Sequence, residues 1–143
     1  MKKSFVLSVV LVLIFGLILS ACAAKESAVT VLTVTGMVEK AYSMNALKAL
    51  PQTSTDYTDK DGETTTYSGV AFSTLLSDLK LSSDPTTVKM IAADNYEGEV
   101  TFEELNACSD CIIAFLDDGT LRSVLPNFSG KANVKDLVKI DLQ

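Results

Sequence analysis

Histidine and tryptophan are both missing from this 143-residue chain. Without imidazole there is no Ser-His-Asp triad, no base that titrates near neutral pH, and no histidine-ligated zinc, copper or haem. Seven glycines are scattered singly, and the closest two, Gly62 and Gly69, stand a hairpin arm apart. Neither of the familiar glycine-rich phosphate loops can be drawn through them. Basic residues are also scarce, 12 against 18 acidic ones, for a net charge of −6. That balance argues against a nucleic-acid partner and against adhesion to anionic headgroups. Repeats and low-complexity tracts are lacking too.

Only one stretch is strongly apolar. Lys2 and Lys3 lead into Phe5 to Leu19, interrupted by Ser8 and Gly16, and Leu19-Ser20-Ala21-Cys22 closes it. A charged start, an apolar stretch and a small-residue processing site make an export signal. The run is shorter than the ~20 apolar residues that a permanent span needs. Its ending resembles the lipobox of bacterial lipoproteins, which implies that residues 1–21 are a signal peptide and that Cys22 carries the lipid. Two acyl chains suffice for stable attachment, each buried CH₂ contributing roughly 0.8 kcal/mol. Residues 22–28 then form a lipid-anchored tether, and residues 29–143 one domain facing the periplasm or cell exterior of a bacterium. Loss of Lys2 and Lys3 leaves ten basic residues against 18 acidic, a net charge of −8. About 115 residues can bury a core without disulfides.

Within that domain, short strands and helices alternate. Val29 to Val38 has the period-two pattern of a strand, with Gly36 as a bend or bulge. Ser43 caps a helix over Met44 to Leu50, and Pro51 stops it. Gln52 to Tyr57 and Glu63 to Tyr67 flank Lys60-Asp61-Gly62 as an exposed, Thr-rich hairpin. Phe72, Leu75, Leu76 and Leu79 recur at helical spacing over Ala71 to Lys80. Val88 to Ala92 reads as a strand, with Asn95 to Gly98 as its turn. Thr101 and Glu104 form a capping box for Phe102 to Asn106. Cys111 to Leu116, Leu121 to Leu125 and Leu137 to Leu142 read as further strands. The expected class is α+β, a strand-rich single domain.

Two clusters invite chemistry. Asp94, Glu97, Glu99, Glu103 and Glu104 gather around one turn and read as a solvated acidic face rather than an acid–base pair or a calcium loop. Cys108-Ser109-Asp110-Cys111 is the stronger signal, because two cysteines at this spacing in an oxidising compartment are expected to be bridged. A structural bridge, a redox-active pair and a metal site all remain open. Asp110 would raise a thiol pKa rather than lower it. Zinc would need ligands beyond the two sulfurs, and haem attachment would need histidine where Ile112 stands.

The order of several short motifs resembles the molybdopterin-binding domain of the sulfite oxidase family. They are Val31-Leu-Thr-Val-Thr-Gly-Met-Val38, Leu47-Lys-Ala-Leu-Pro51, Tyr67-Ser-Gly-Val-Ala-Phe72 with Leu75-Leu76, Ile91-Ala-Ala-Asp-Asn-Tyr96, Leu121-Arg-Ser-Val-Leu-Pro126, and Val134-Lys135 followed by Leu137 to Leu142. The similarity spans about residues 30–142 and implies that family's fold. It also implies where a cofactor would lie. The relatives hold molybdenum through a cysteine in the stretch after Leu-Pro. Here Gln52 to Thr66 contains none, and Asp56, Tyr57 and Thr58 stand near the place. Asp136 occupies the family's tryptophan position, and Asn133 that of its serine. Lys135 and Arg122 remain as the contacts to pterin phosphate that the resemblance would give. For Arg122, an ordinary salt bridge is the plain alternative.

These readings converge on a membrane-anchored, non-catalytic domain that binds a small ligand or a membrane-associated redox partner, with no cofactor or metal expected. The ligand surface would involve Lys135, Arg122, Tyr57, Tyr96 and Phe128, with Tyr67 as a further aromatic beside the same segments. One alternative is an oxidoreductase or electron-transfer accessory that binds molybdopterin or another cofactor. The second is a thiol-disulfide protein using Cys108 and Cys111.

Overall fold

Alternation of apolar and polar side chains places the strands in two sheets. The computed structural model describes residues 28–143. The expected signal peptide, Cys22 and all of the tether before Ala28 lie outside the described residues. The order is β1 (Thr30–Gly36), β2 (Lys40–Ser43), α1 (Met44–Lys48), β3 (Gln52–Thr58), β4 (Thr64–Ala71), α2 (Phe72–Leu79), β5 (Thr87–Ala92), β6 (Glu97–Thr101), α3 (Phe102–Ala107), β7 (Ile112–Phe115), β8 (Leu121–Val124), a 3₁₀ turn (Gly130–Ala132) and β9 (Leu137–Leu142). One sheet runs β2-β1-β9-β5-β6 and the other β3-β4-β7-β8. Among the described residues only β1 and β9 pair in parallel; the other ladders are antiparallel. The strand-rich α+β expectation is met.

Local signals act as the residue chemistry dictates. Ser43 Oγ accepts the Ala46 N–H at 3.2 Å, capping α1. Thr101 Oγ1 accepts from Glu104 N at 3.3 Å and donates to the Glu104 carboxylate at 2.6 Å. Phe72, Leu75, Leu76 and Leu79 are all buried, so α2 lies on the core by the face its spacing defines. Gly36 adopts φ +92°, and a Cβ there would run into the Leu142 carbonyl oxygen, so the bend in β1 requires glycine.

Two strands depart from the expectations. β2 is a four-residue edge with one buried residue, Tyr42, too short to show a period. The chain reverses over Ala92 to Asn95, with Asn95 at φ 67°, rather than over Asn95 to Gly98. Glu97 to Thr101 is therefore a strand, β6, hidden by its exposed glutamates. Gly98 belongs to that ladder because the 3₁₀ turn packs against it: a Cβ there would lie 2.6 Å from Lys131 O and 2.8 Å from Val134 Cγ2.

The main core lies between the sheets and the helices, with Leu32, Leu47, Phe72, Leu75, Met90, Leu105, Ile113, Leu121 and Ile140 essentially fully buried. Each such side chain contributes roughly 1.5–3 kcal/mol through burial. A second cluster, Ile112, Ala114 and Val124 with Tyr57 and Tyr67 against it, forms separately. It occupies the opposite face of the four-stranded sheet, because side chains alternate along β7 and β8.

Candidate functional site

Arg122 emerges from β8 on that opposite face. The register sets Arg122 across from Ala114, and Ala114 across from Gly69. Directly opposed residues share a face, so two small residues leave open the strip beside the arginine. Gly69 has a second constraint: a Cβ there would run into the Ile113 carbonyl oxygen and lie 2.7 Å from Ala114 Cα.

Tyrosines flank the guanidinium. Its carbon lies 5.2 Å from the Tyr57 ring centroid and 5.1 Å from that of Tyr67. Such distances are within reach of cation–π attraction, about 0.5–1 kcal/mol where exposed and more where desolvated. Arg122 Nη1 donates to the Tyr67 hydroxyl at 2.8 Å. Arg122 Nε is buried and has no hydrogen-bond partner. Among the described residues the salt bridges are Lys40–Asp78 and Lys89–Glu97, so neither Arg122 nor Lys135 is neutralised by a carboxylate.

Around this arginine the hairpin and the loop after β8 enclose a cleft of about 430 Å³. It is lined by Tyr57, Tyr67, Arg122, Asn133 and Lys135, with Gly130, Thr65 and the hairpin tip Asp59 to Glu63. Asn133 holds the loop rather than a ligand. Its side-chain oxygen accepts from Leu125 N at 2.7 Å, and its amide nitrogen donates to Leu125 O and Ser129 O. Ser123 helps by donating to Ala132 O at 2.8 Å and accepting from Val134 N at 2.7 Å.

The structure thus brings Tyr57, Arg122 and Lys135 together, though they are far apart in sequence. Tyr96 and Phe128 do not join them. Tyr96 leaves the β5–β6 turn to donate from its hydroxyl to Lys131 O at 3.1 Å, and it does not line the cleft. Phe128 packs against the main core, because Pro126 and the Phe128 N–H bond to Leu125 O turn it inward after β8. Tyr67, the remaining aromatic of the expected groove, does join them. The hairpin register places it opposite Thr55 on the Tyr57 face.

Cys108 and Cys111 form a disulfide, with Cα atoms 5.5 Å apart. Cys108 caps the C-terminal end of α3, Cys111 is fully buried, and the Cys111 carbonyl accepts the Phe72 N–H at 2.9 Å. The bridge ties α3 to β7 where α2 begins. A helix C-terminus disfavours a thiolate, the reverse of a thiol-exchange centre. The acidic residues are dispersed: Asp94 accepts from Tyr96 N, Glu97 pairs with Lys89 at 3.4 Å, and Glu104 bonds Thr101. Among the described residues no three acidic or sulfur side chains converge on a point where a metal could sit.

The donor set in the cleft does not fit the molybdenum cofactor that the sequence resemblance implies. No cysteine lines it, and both described cysteines are consumed by their bridge. Asp56, near the place of the missing thiolate, accepts from the Thr66 hydroxyl at 2.6 Å. A larger cleft of about 670 Å³ lies elsewhere, between β1, β9 and the β7–β8 turn. It borders Thr30 and Val31, where the described chain begins, and contains none of the sequence-derived candidates.

No protein-family model matches the chain, and no curated protein sequence matches it. Among solved structures, the fold is similar to that of the sulfane dehydrogenase SoxCD from Paracoccus pantotrophus, with a TM-score of 0.65 and 18% identity. The alignment covers 78% of this chain and 37% of that one. Likeness at this identity is a likeness of fold alone, and it supports a distant fold relationship of the kind that the motif order implies.

Proposed function

We propose that this protein is a lipid-anchored, extracytoplasmic binding domain that uses the Arg122 cleft and performs no molybdenum chemistry. The observation that carries this reading is a guanidinium held beside two tyrosine rings and, among the described residues, paired with no carboxylate and met by no sulfur donor in its cleft. An arginine that only stabilised the fold would be expected to spend its charge on a neighbour. Here the charge is positioned and left available, which suits ligand capture. The sulfane dehydrogenase likeness supports the scaffold and not its chemistry. The thiol-disulfide alternative is disfavoured by the helix C-terminal position of Cys108 and the burial of Cys111.

Fractionation followed by elemental and pterin analysis of the natively produced full chain tests the proposal. The expected outcome is recovery from membranes by detergent, with neither molybdenum nor pterin in stoichiometric amount. Stoichiometric molybdenum with pterin would reject the non-catalytic reading, and recovery in the soluble fraction would reject the anchor.

A further inference from the structure

The charges around the cleft are balanced. Arg122, Lys135 and Lys60 face it, and so do Asp59, Asp61 and Glu63. No cation of this set makes a salt bridge with a carboxylate of the set, although they share one cavity. Asp59 is committed to the hairpin turn, where its carboxylate accepts from Asp61 N at 2.9 Å and Glu63 N at 3.0 Å. Asp61 and Glu63 have no such side-chain commitment among the described residues. On the other side, one guanidinium donor is taken by Tyr67, and Nε is buried without a partner. A guanidinium carries five donors in a planar fork, a geometry that matches a carboxylate.

A polyanion bound at Arg122 would also meet the hairpin carboxylates, and like charges there oppose it. An apolar ligand would strip water from six charged groups without replacing it. A ligand bearing one charge of each sign removes both penalties. The cavity volume is within the range of small-molecule sites, about 300–1,000 Å³. Resting on the reading of this cleft as the binding site, we infer that its ligand is a small zwitterion. Its carboxylate lies against Arg122 and Lys135, and its ammonium group faces Asp61 and Glu63.

The chain has four tyrosines and no tryptophan, and two of those tyrosines flank Arg122, so tyrosine emission reports on this cleft. The full chain in detergent is titrated with glycine, L-alanine and γ-aminobutyrate, which separate their charges by different lengths. Propionate, propylamine and inorganic phosphate serve as single-sign probes. At least one zwitterion should change the emission and raise the melting temperature, with propionate and propylamine about tenfold weaker or worse. Arg122→Gln, and separately Asp61→Asn with Glu63→Gln, should each weaken zwitterion binding by about tenfold or more, as loss of a charge-assisted hydrogen bond predicts. Circular dichroism establishes that each variant is folded.

Phosphate or propionate binding as tightly as any zwitterion, and depending on Arg122, overturns the ligand class while leaving the cleft as the binding site. Zwitterion binding that survives both sets of substitutions overturns the cleft itself. Silence from every probe overturns the zwitterion, and the molybdenum and pterin analysis then decides the broader reading alone.

Discussion

The two faces of the four-stranded sheet come from the same residues in alternation, yet they do opposite work. Ile113 and Leu121 point into the main core, and Ser123 on the same side is fully buried and hydrogen-bonded. Ile112, Ala114 and Val124 form a small cluster on the other side, where Arg122 and the two tyrosines make a cleft. Side chains one position apart on β8 thus separate the packed core from the cleft. On the core face, volume matters and polar groups must be satisfied. On the cleft face, a buried donor stays unsatisfied and small residues leave space. Rule-breaking concentrated on one face is what a functional surface built on a stable scaffold looks like.

The contrast is tested most strongly by matched substitutions. Ile113→Ala should cost about 2–5 kcal/mol in denaturant unfolding, since the side chain is fully buried. Arg122→Ala, on the cleft face, should cost no more than about 2 kcal/mol, two stacking contacts and one hydrogen bond offset by removal of the unpaired Nε. Equal costs would mean that Arg122 is simply a core residue. A finer comparison uses the tyrosines. Tyr67→Phe removes the acceptor for Arg122 Nη1 and should cost about 1 kcal/mol. Tyr57→Phe keeps the ring over the guanidinium and should stay within about 0.5 kcal/mol. Urea midpoints of the two variants decide this, and reversed values would misplace the hydrogen bond.

A further modest effect lies away from the cleft, where Asp78 of α2 clamps the edge strand β2. Its carboxylate accepts from Lys40 Nζ and from the Tyr42 hydroxyl, both at 2.7 Å. The Lys40 and Tyr42 hydrogen bonds hold the Asp78 carboxyl below its ordinary range. A depressed carboxylate contributes stability above its unfolded pKa of about 3.9, and that stability is lost as pH falls through the lower folded value. Lys40 and Asp78 are 39% and 32% exposed, so screening keeps the contribution below about 1 kcal/mol. Burial, followed by the Asp78 hydrogen bond, pushes the Tyr42 hydroxyl well above its ordinary value, so the clamp also weakens as pH climbs past about 10. Stability measured against pH should show a shallower acid limb in Asp78→Asn than in the parent. An unchanged limb would remove Asp78 from the account, and ligand binding in the Arg122 cleft should be indifferent to this substitution.

Much of this architecture is legible in the residues because its signals are local. Ser43 and Thr101 announce helix starts through hydroxyl capping, and Lys60-Asp61-Gly62 announces a hairpin. The α2 spacing names its own buried face. β2 and β6 escape notice because their evidence is tertiary. β2 is fixed by pairing to β1, and β6 hides two buried positions, Gly98 and Val100, among exposed glutamates. The cleft is half legible: motif order singles out Arg122 and Lys135, but of the four aromatics in or beside the segments that the resemblance points to, Tyr57 and Tyr67 line the cleft and Tyr96 and Phe128 do not.

Taken alone, the residues determined that imidazole chemistry is missing from this sequence, because an absent side chain is absent in every conformation. They also determined the capped helices and the hairpin, which depend on neighbours a few positions away. Only the tertiary structure decided which charges face one another and which aromatic rings enclose Arg122. Those distances follow from strand register across Gly69, Ala114 and Arg122, and register is set by burying a whole sheet face at once.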